Sequence, residues 1–369
     1  AMQAMAGARG TNKAQMVAMK AMLDSMFGGT MPTLSDVIGD VAYEGVTADM
    51  SIREAAMIMA ERRKGVLVTN AEDNSLMGIL TPKDLLNRVI SKQLSPEDTT
   101  VMEVMTPNPD CVGPEVTLLD ALREMHDHKY LPLPVRDDEG VVHGVVDVME
   151  LLCHTAGDKS QGGKGWRDFF ACAGEGLDDA SETGSQRSMG SKGSKVSKVS
   201  KTGTISKKST GLKKAGEGER AVSKLRPKKP IIVADSATVL DTAMAMSASR
   251  SDAALLVTAD GCLSGILTDN DVCRRVVAQH IDPVSALVAT VMTAQPKCVC
   301  SDDSALDALE MMVDNHFRHL PVLDASGAVV GLLDIAKCLY DTISVLEKVH
   351  GDDSAAMQTD AAGATMQAM

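Results

Sequence analysis

Apolar positions along this chain keep two rhythms in turn. From Ser304 onward, Leu306, Leu309, Met312 and Val313 recur at helical spacing. Ser304-Ala-Leu-Asp307 reads as a capping box that opens this helix. The runs LPVLD and VVGLLD then flank the turn Ala325-Ser326-Gly327 and predict a hairpin. A short strand at KCV precedes the helix, and a second helix begins near Ile335. The unit is strand, helix, strand, strand, helix.

The same unit occurs four times. GILTPKD at Gly78–Asp84 returns as GILTDND at Gly265–Asp271, an offset of 187, and VMTPNPDCV from Val104 returns as VMTAQPKCV from Val291. Asp147 and Asp334, and Gly144 and Gly331, share that offset. Within each half the glycines step by 66, from Gly78 to Gly144 and from Gly265 to Gly331. The other units open with capping boxes at Ser51/Glu54, Thr117/Asp120 and Thr238/Asp241. One unit has too little core to stand alone. Two packed sheet to sheet, with helices outside, would bury one shared core, so the pattern predicts an α/β (α+β) protein of two paired-unit domains. Their outer helices, such as Leu118 to Met125 and Leu306 to Val313, are more apolar than one buried stripe needs. The pairs are therefore expected to pack on one another, within the chain or as a homo-oligomer.

The expected boundaries are a Met/Ala-rich segment at 1–32, a first pair at 33–156, a linker at 157–229, a second pair at 230–350 and a disordered tail at 351–369. Charge singles out the linker. The chain carries a net −13, yet Gln186 to Pro230 holds 14 Lys/Arg against two Glu, leaving −25 for the remainder. SKGSKVSKVSK, from Ser191, reads as a solvated tether or as a contact for an anionic partner over 186–230. Near its start, GWRDFF gathers Trp166, Phe169 and Phe170, suggesting a small helix docked on this chain or on a partner.

Composition narrows the chemistry further. With aromatics at 2% and 24 Met, the cores must be aliphatic and Met-rich. Eight scattered Cys show no CxxC or Cys/His ligand spacing, which argues against zinc and suits a cytoplasmic or other reducing compartment. No apolar run approaches the length that spans a bilayer. The chain begins at Ala1 without a signal-peptide pattern, as a fragment would. His126, Asp127 and His128 fall inside an amphipathic helix, and there is no nucleophile elbow, metal motif or P-loop, so an enzyme has little support.

The heptapeptide has two readings. Thr81/Asp84 and Thr268/Asp271 fit a helix N-cap with an acid at N3, and Pro82 fits the first helical position. A helix N-terminus also welcomes phosphate, the Asp can accept from ribose hydroxyls, and Gly78 or Gly265 would let backbone approach an adenine.

Here the residues resemble a known family. The five-element unit, the VMT-x-x-P entry, the H-L-P-V strand and the G-h-h-T-x-x-D exit resemble the cystathionine beta-synthase (CBS) motif, whose pairs form Bateman modules. FRHLPV, LLDIAKCLYDTISVLEK and LLDALREMHDHKY further resemble plant, fungal and algal proteins with four CBS motifs and a Phox/Bem interaction domain, though the two pairs stand here in swapped order. That arrangement, with AMQAM at the start and TMQAM at the end, suggests a window from a longer array lacking the Phox/Bem domain.

The resemblance implies a non-enzymatic sensor with no required cofactor. Gly78, Thr81 and Asp84, and Gly265, Thr268 and Asp271, would bind AMP, ATP or S-adenosylmethionine. In the even units Asp147 and Asp334 stand where Thr is expected, and Glu150 and Lys337 where Asp is expected, so those sites should stay empty. Arg318 and His319 occupy the family's basic positions before L-P-V, against Leu131 and Pro132 in the first pair. The second pair is thus expected to hold the phosphate tail, although His319 equally suits a packed imidazole. The alternative is a structural scaffold whose T-x-x-D segments serve only as caps.

Overall fold

The fold is known from a computed structural model that describes residues 32–39, 43–128, 130–155, 170, 212–216 and 219–342. Each half builds its odd unit around a four-stranded sheet. In the first, Val46–Thr47 runs parallel to Val66–Thr69, which pairs antiparallel with Leu76–Leu80, and Thr106–Pro107 closes the edge. Ile231–Ala234, Ala253–Val257, Leu263–Thr268 and Thr293–Ala294 repeat that order in the second. The even units are smaller: Leu133–Arg136 pairs with Val142–Val146, and Val299–Cys300, His319–Leu323 and Val329–Asp334 form one sheet. The duplication reaches the backbone. Left-handed Arg63, Gln93 and Asn108 recur as Arg250, His280 and Gln295, each 187 residues on.

The expected N-caps form, and the reciprocal box is complete at Ser51/Glu54 but one-sided at Thr238 and Ser304. Ser51 Oγ accepts from Glu54 N at 3.3 Å, and Thr238 and Ser304 cap Asp241 and Asp307 in the same way. Ile52, Ala55, Ala56 and Met59 line one face of the Ile52–Arg62 helix and are fully buried. The helix after T-x-x-D departs from expectation. After one α-turn it widens into π-geometry at Leu85–Val89, and again at Val272–Val277. This wider turn puts Leu85, Leu86, Val89 and Ile90 on one buried face.

The cores are not distributed as the pattern suggested. Sheet-to-sheet packing within a pair buries only small clusters: Leu67, Ile79, Val142 and Val145 in the first, Ala253, Leu255, Ile266 and Leu332 in the second. The two large cores cross between the pairs. One joins the odd units, where the Ile52–Arg62 helix packs on Val272–Val277 and Val239–Ala248 packs on the Leu85–Lys92 turns. The other joins Leu118, Met125 and Leu151 of one even unit to Leu309, Met312 and Leu339 of the other. The pairs thus pack on one another within the chain, with helices supplying much of the contact.

The preceding segments also cross over. Leu34 N donates to Val116 O at 2.9 Å, and Val222 N donates to Asp303 O at 2.9 Å, so residues ahead of each odd unit complete the following even unit. This corrects the expected linker over 157–229: its described end, 212–216 and 219–229, seats against the fourth unit, with Val222 and Leu225 buried. Phe170 joins the even-unit core, which places that aromatic on this chain. Trp166, Phe169, the Ser-Lys repeat and the tail lie outside the described residues. Among the described residues no helix is long and apolar enough to cross a membrane.

Candidate functional site

A cleft of about 480 Å³ opens where the first pair meets the second. That volume suits a small-molecule site. Its floor is the T-P-K-D turn, Thr81 to Asp84, and one wall is Thr106, Asn108, Pro109 and Asp110 from the VMTPNPD segment. Arg63, Lys64 and Gly65 form a second wall, and Tyr130, Leu131 and Pro132 a third. Asp269, Asn270 and Arg318 close it from the other half.

Local chemistry fixes the floor. Thr81 ends a strand in extended conformation and caps the following helix. Asp84 Oδ2 accepts from Thr81 N at 2.9 Å and from Thr81 Oγ1 at 2.7 Å. Asp84 Oδ1 faces Arg88 at 3.4 Å. Arg88 in turn donates to Val104 O and Thr106 Oγ1, tying the VMT segment to the floor. Burial raises the Asp84 pKa, against the opposing pull of Thr81 and Arg88. Asn108 holds its wall in the left-handed region and donates its N–H to Met77 O at 3.0 Å.

One of the cations, Lys83, bridges the two halves. Lys83 Nζ lies 2.9 Å from Asp252 Oδ1, and Arg318 donates to Asp252 Oδ2 at 2.6 Å. Asp269, 4% exposed, sits beside this group, and burial pushes its pKa up to about 6. Lys64 is drawn sideways to Glu150 at 3.4 Å and to Val145 O at 3.1 Å.

Of the residues singled out in the sequence, Thr81, Asp84 and Arg318 meet in this cleft. Arg318 reaches it from the second pair, an arrangement that within-pair reading did not anticipate. Thr268 and Asp271 repeat the cap at 3.0 and 2.8 Å, with Arg275 at 3.5 Å, but do not line the cleft. Gly78 and Gly265 lie under methionines. An added Cβ would stand 2.6 Å from Met105 Sδ and 2.2 Å from Met292 Sδ respectively, so each glycine admits the VMT segment to the sheet edge. His319 pairs across the hairpin with Asp334 and is also outside the cleft. Burial and Arg318 lower its pKa to about 4, leaving it neutral near pH 7. Asp147 lines the cleft and caps Glu150 N at 2.8 Å, whereas Asp334 is held by Lys228 at 2.7 Å.

Sequence reasoning missed Lys83, Asp252 and Asp269. A signal existed for one of them: Asp252 falls 187 residues after Gly65, so a carboxylate in one half replaces a bare backbone in the other. Among the described residues one cluster has metal-type donors, Cys300, Asp302 and Asp303, and there Lys214 already pairs with Asp302.

The fold and the paired T-x-x-D turns define a protein of two CBS pairs. The chain belongs to the CBS domain family, whose model matches residues 38–91, 101–156, 222–278 and 288–340. It is similar to the CBS domain-containing protein CBSCBSPB1 of Arabidopsis thaliana, 31% identical over 85% of this chain and 54% of that protein. CBSCBSPB3 of the same plant is 49% identical over 37% of this chain and 25% of its own length. The chain thus spans from a quarter to about half of these relatives. Protein MJ1225 from Methanocaldococcus jannaschii shares the fold at 16% identity and a TM-score of 0.54, over 84% of this chain and 99% of that one.

Proposed function

We propose that the chain is a non-enzymatic sensor module that takes an adenosyl ligand, AMP or ATP, in the cleft between its pairs. The observation that carries this reading is the convergence of Thr81 and Asp84 with Lys83 and Arg318, drawn from both halves. Asp84 Oδ1, held only at 3.4 Å by Arg88, is available to ribose hydroxyls. The helix N-terminus and the two cations lie where a phosphate would follow. S-adenosylmethionine, cationic and without phosphate, gains nothing from those cations and should bind more weakly. Ligand binding would then bias the packing of the halves, because Lys83, one of the cations that would receive phosphate, also joins the two halves through Asp252.

A scaffold reading draws on the reciprocal capping of Thr81 and Asp84. Calorimetric titration of the whole chain with AMP, ADP, ATP and S-adenosylmethionine separates the two. Saturable binding of AMP or ATP, weakened by Thr81→Val, is the expected result. Binding of none of the four would leave the scaffold.

A further inference from the structure

Resting on the adenosyl reading, a second role emerges for one acid. Asp252 is 13% exposed in its side chain and holds one cation from each half. Its Oδ2 accepts from Arg318 at 2.6 Å and its Oδ1 faces Lys83 at 2.9 Å. Both cations line the cleft, and Asp252 does not. Two oxygens shared between a guanidinium and an ammonium is the arrangement a phosphate would make with the same pair. Arg318 Nε is buried without a hydrogen-bond partner, so the guanidinium retains an unused donor. Lys83 is half exposed and can swing without disturbing the core. At the matching position of the first half, Gly65 leaves backbone only.

We propose that Asp252 is a resident anion that holds the phosphate-binding capacity of Lys83 and Arg318 until a phosphate-bearing ligand displaces it. The cleft therefore selects by ligand charge. A phosphate offers at least the charge of the carboxylate and takes both cations. Adenosine offers nothing in exchange and leaves the Lys83–Asp252 contact closed. Occupancy by phosphate also removes the carboxylate that ties the halves together at this point, so the ligand loosens one contact as it forms others.

The test is calorimetric titration of the full chain and its variants with AMP, ATP, adenosine and pyrophosphate. Asp252→Asn should tighten AMP and ATP by about tenfold or more, with adenosine unchanged. Lys83→Gln, at a half-exposed position, should weaken AMP and ATP by about tenfold and spare adenosine. Unchanged AMP affinity in Lys83→Gln overturns the proposal even if Asp252→Asn does not fold. Unchanged or weaker nucleotide affinity in folded Asp252→Asn, or an equal gain for adenosine, overturns the proposal. AMP binding that ignores both variants removes the resident-anion role and keeps the adenosyl reading. Pyrophosphate binding to Asp252→Asn, with no nucleotide binding by any protein, keeps the role and removes the adenosyl reading. Failure of every anion to bind Asp252→Asn overturns the proposal as well.

Discussion

Asp84 divides its two carboxylate oxygens between neighbours: Oδ2 accepts from Thr81 twice, at 2.9 and 2.7 Å, and Oδ1 faces Arg88 at 3.4 Å. Asp271 does the same with Thr268 and Arg275. As caps the two residues are equivalent, so Asp84→Asn and Asp271→Asn should each cost about 0.5–1 kcal/mol of stability. Only Asp84 lines the cleft. Asp84→Asn should therefore also lower AMP affinity about 10- to 150-fold through lost charge-assisted bonds, and Asp271→Asn should not. Denaturation and titration of both variants check this, and equal ligand effects would place the ligand elsewhere.

Asp269 gives the stability a pH dependence whose sign can be worked out. Its pKa is about 6 when folded, against an ordinary carboxylate value of 3.8, so the folded state holds more protons between those limits. Stability contributed by this group falls as pH climbs from about 4 to about 6. Asp269→Asn should remove that fall, amounting to about 2–3 kcal/mol. His319 works the other way: with its pKa lowered to about 4, its charging on acidification destabilises the fold below about 6.5. Urea denaturation across this range should show the variant gaining stability with pH more steeply than the wild type. Parallel profiles would refute the Asp269 assignment.

The two glycines of the heptapeptide should respond differently to alanine. At Gly265 the three atoms nearest to an added Cβ belong to the Met292 side chain, which can move. At Gly78 the Cβ would also approach the Thr106 carbonyl oxygen at 2.9 Å, a backbone atom fixed by strand pairing. Gly78→Ala should cost about 1–3 kcal/mol and Gly265→Ala less, by thermal denaturation. Equal losses would show that Met292 is as confined as the backbone.

Because the large cores cross between halves, a cavity in one half should weaken both. Met246 is fully buried among residues of both odd units. Met246→Ala should cost about 2–5 kcal/mol within one cooperative transition. Either half made alone would expose Val239, Ala243 and Met246, or Ile52, Ala55 and Met59, and should self-associate in sedimentation. Two independent transitions in the whole chain, or monomeric halves, would contradict the shared cores.

Much of this fold was legible because repetition supplies its own control. The offset of 187 located the strands, the capping boxes and the T-x-x-D turns before any contact was known. Partner choice was less legible. Periodicity marks Ile52 or Leu309 as buried, but a duplicated chain offers each helix two similar surfaces, and the sheets were credited with a core that the helices hold. The site divided along the same line. Thr81 and Asp84 are local in sequence and were found, whereas the Lys83–Asp252 contact spans the halves and leaves no local mark. Arg318 was recognised for its charge but assigned to its own pair. The end of the linker was misjudged because its many Lys suggested solvent, while Val222 and Leu225 among them are buried.

The crossing of Leu34 to Val116, and of Val222 to Asp303, has a bearing on how such a chain can lengthen. An even unit borrows its edge from residues that precede the odd unit, so one motif cannot be copied alone without leaving that edge bare. A viable duplication must carry the lead-in, both motifs and the return as one block. Each new block then brings apolar helical faces that need a partner block, as the two blocks of this chain need one another.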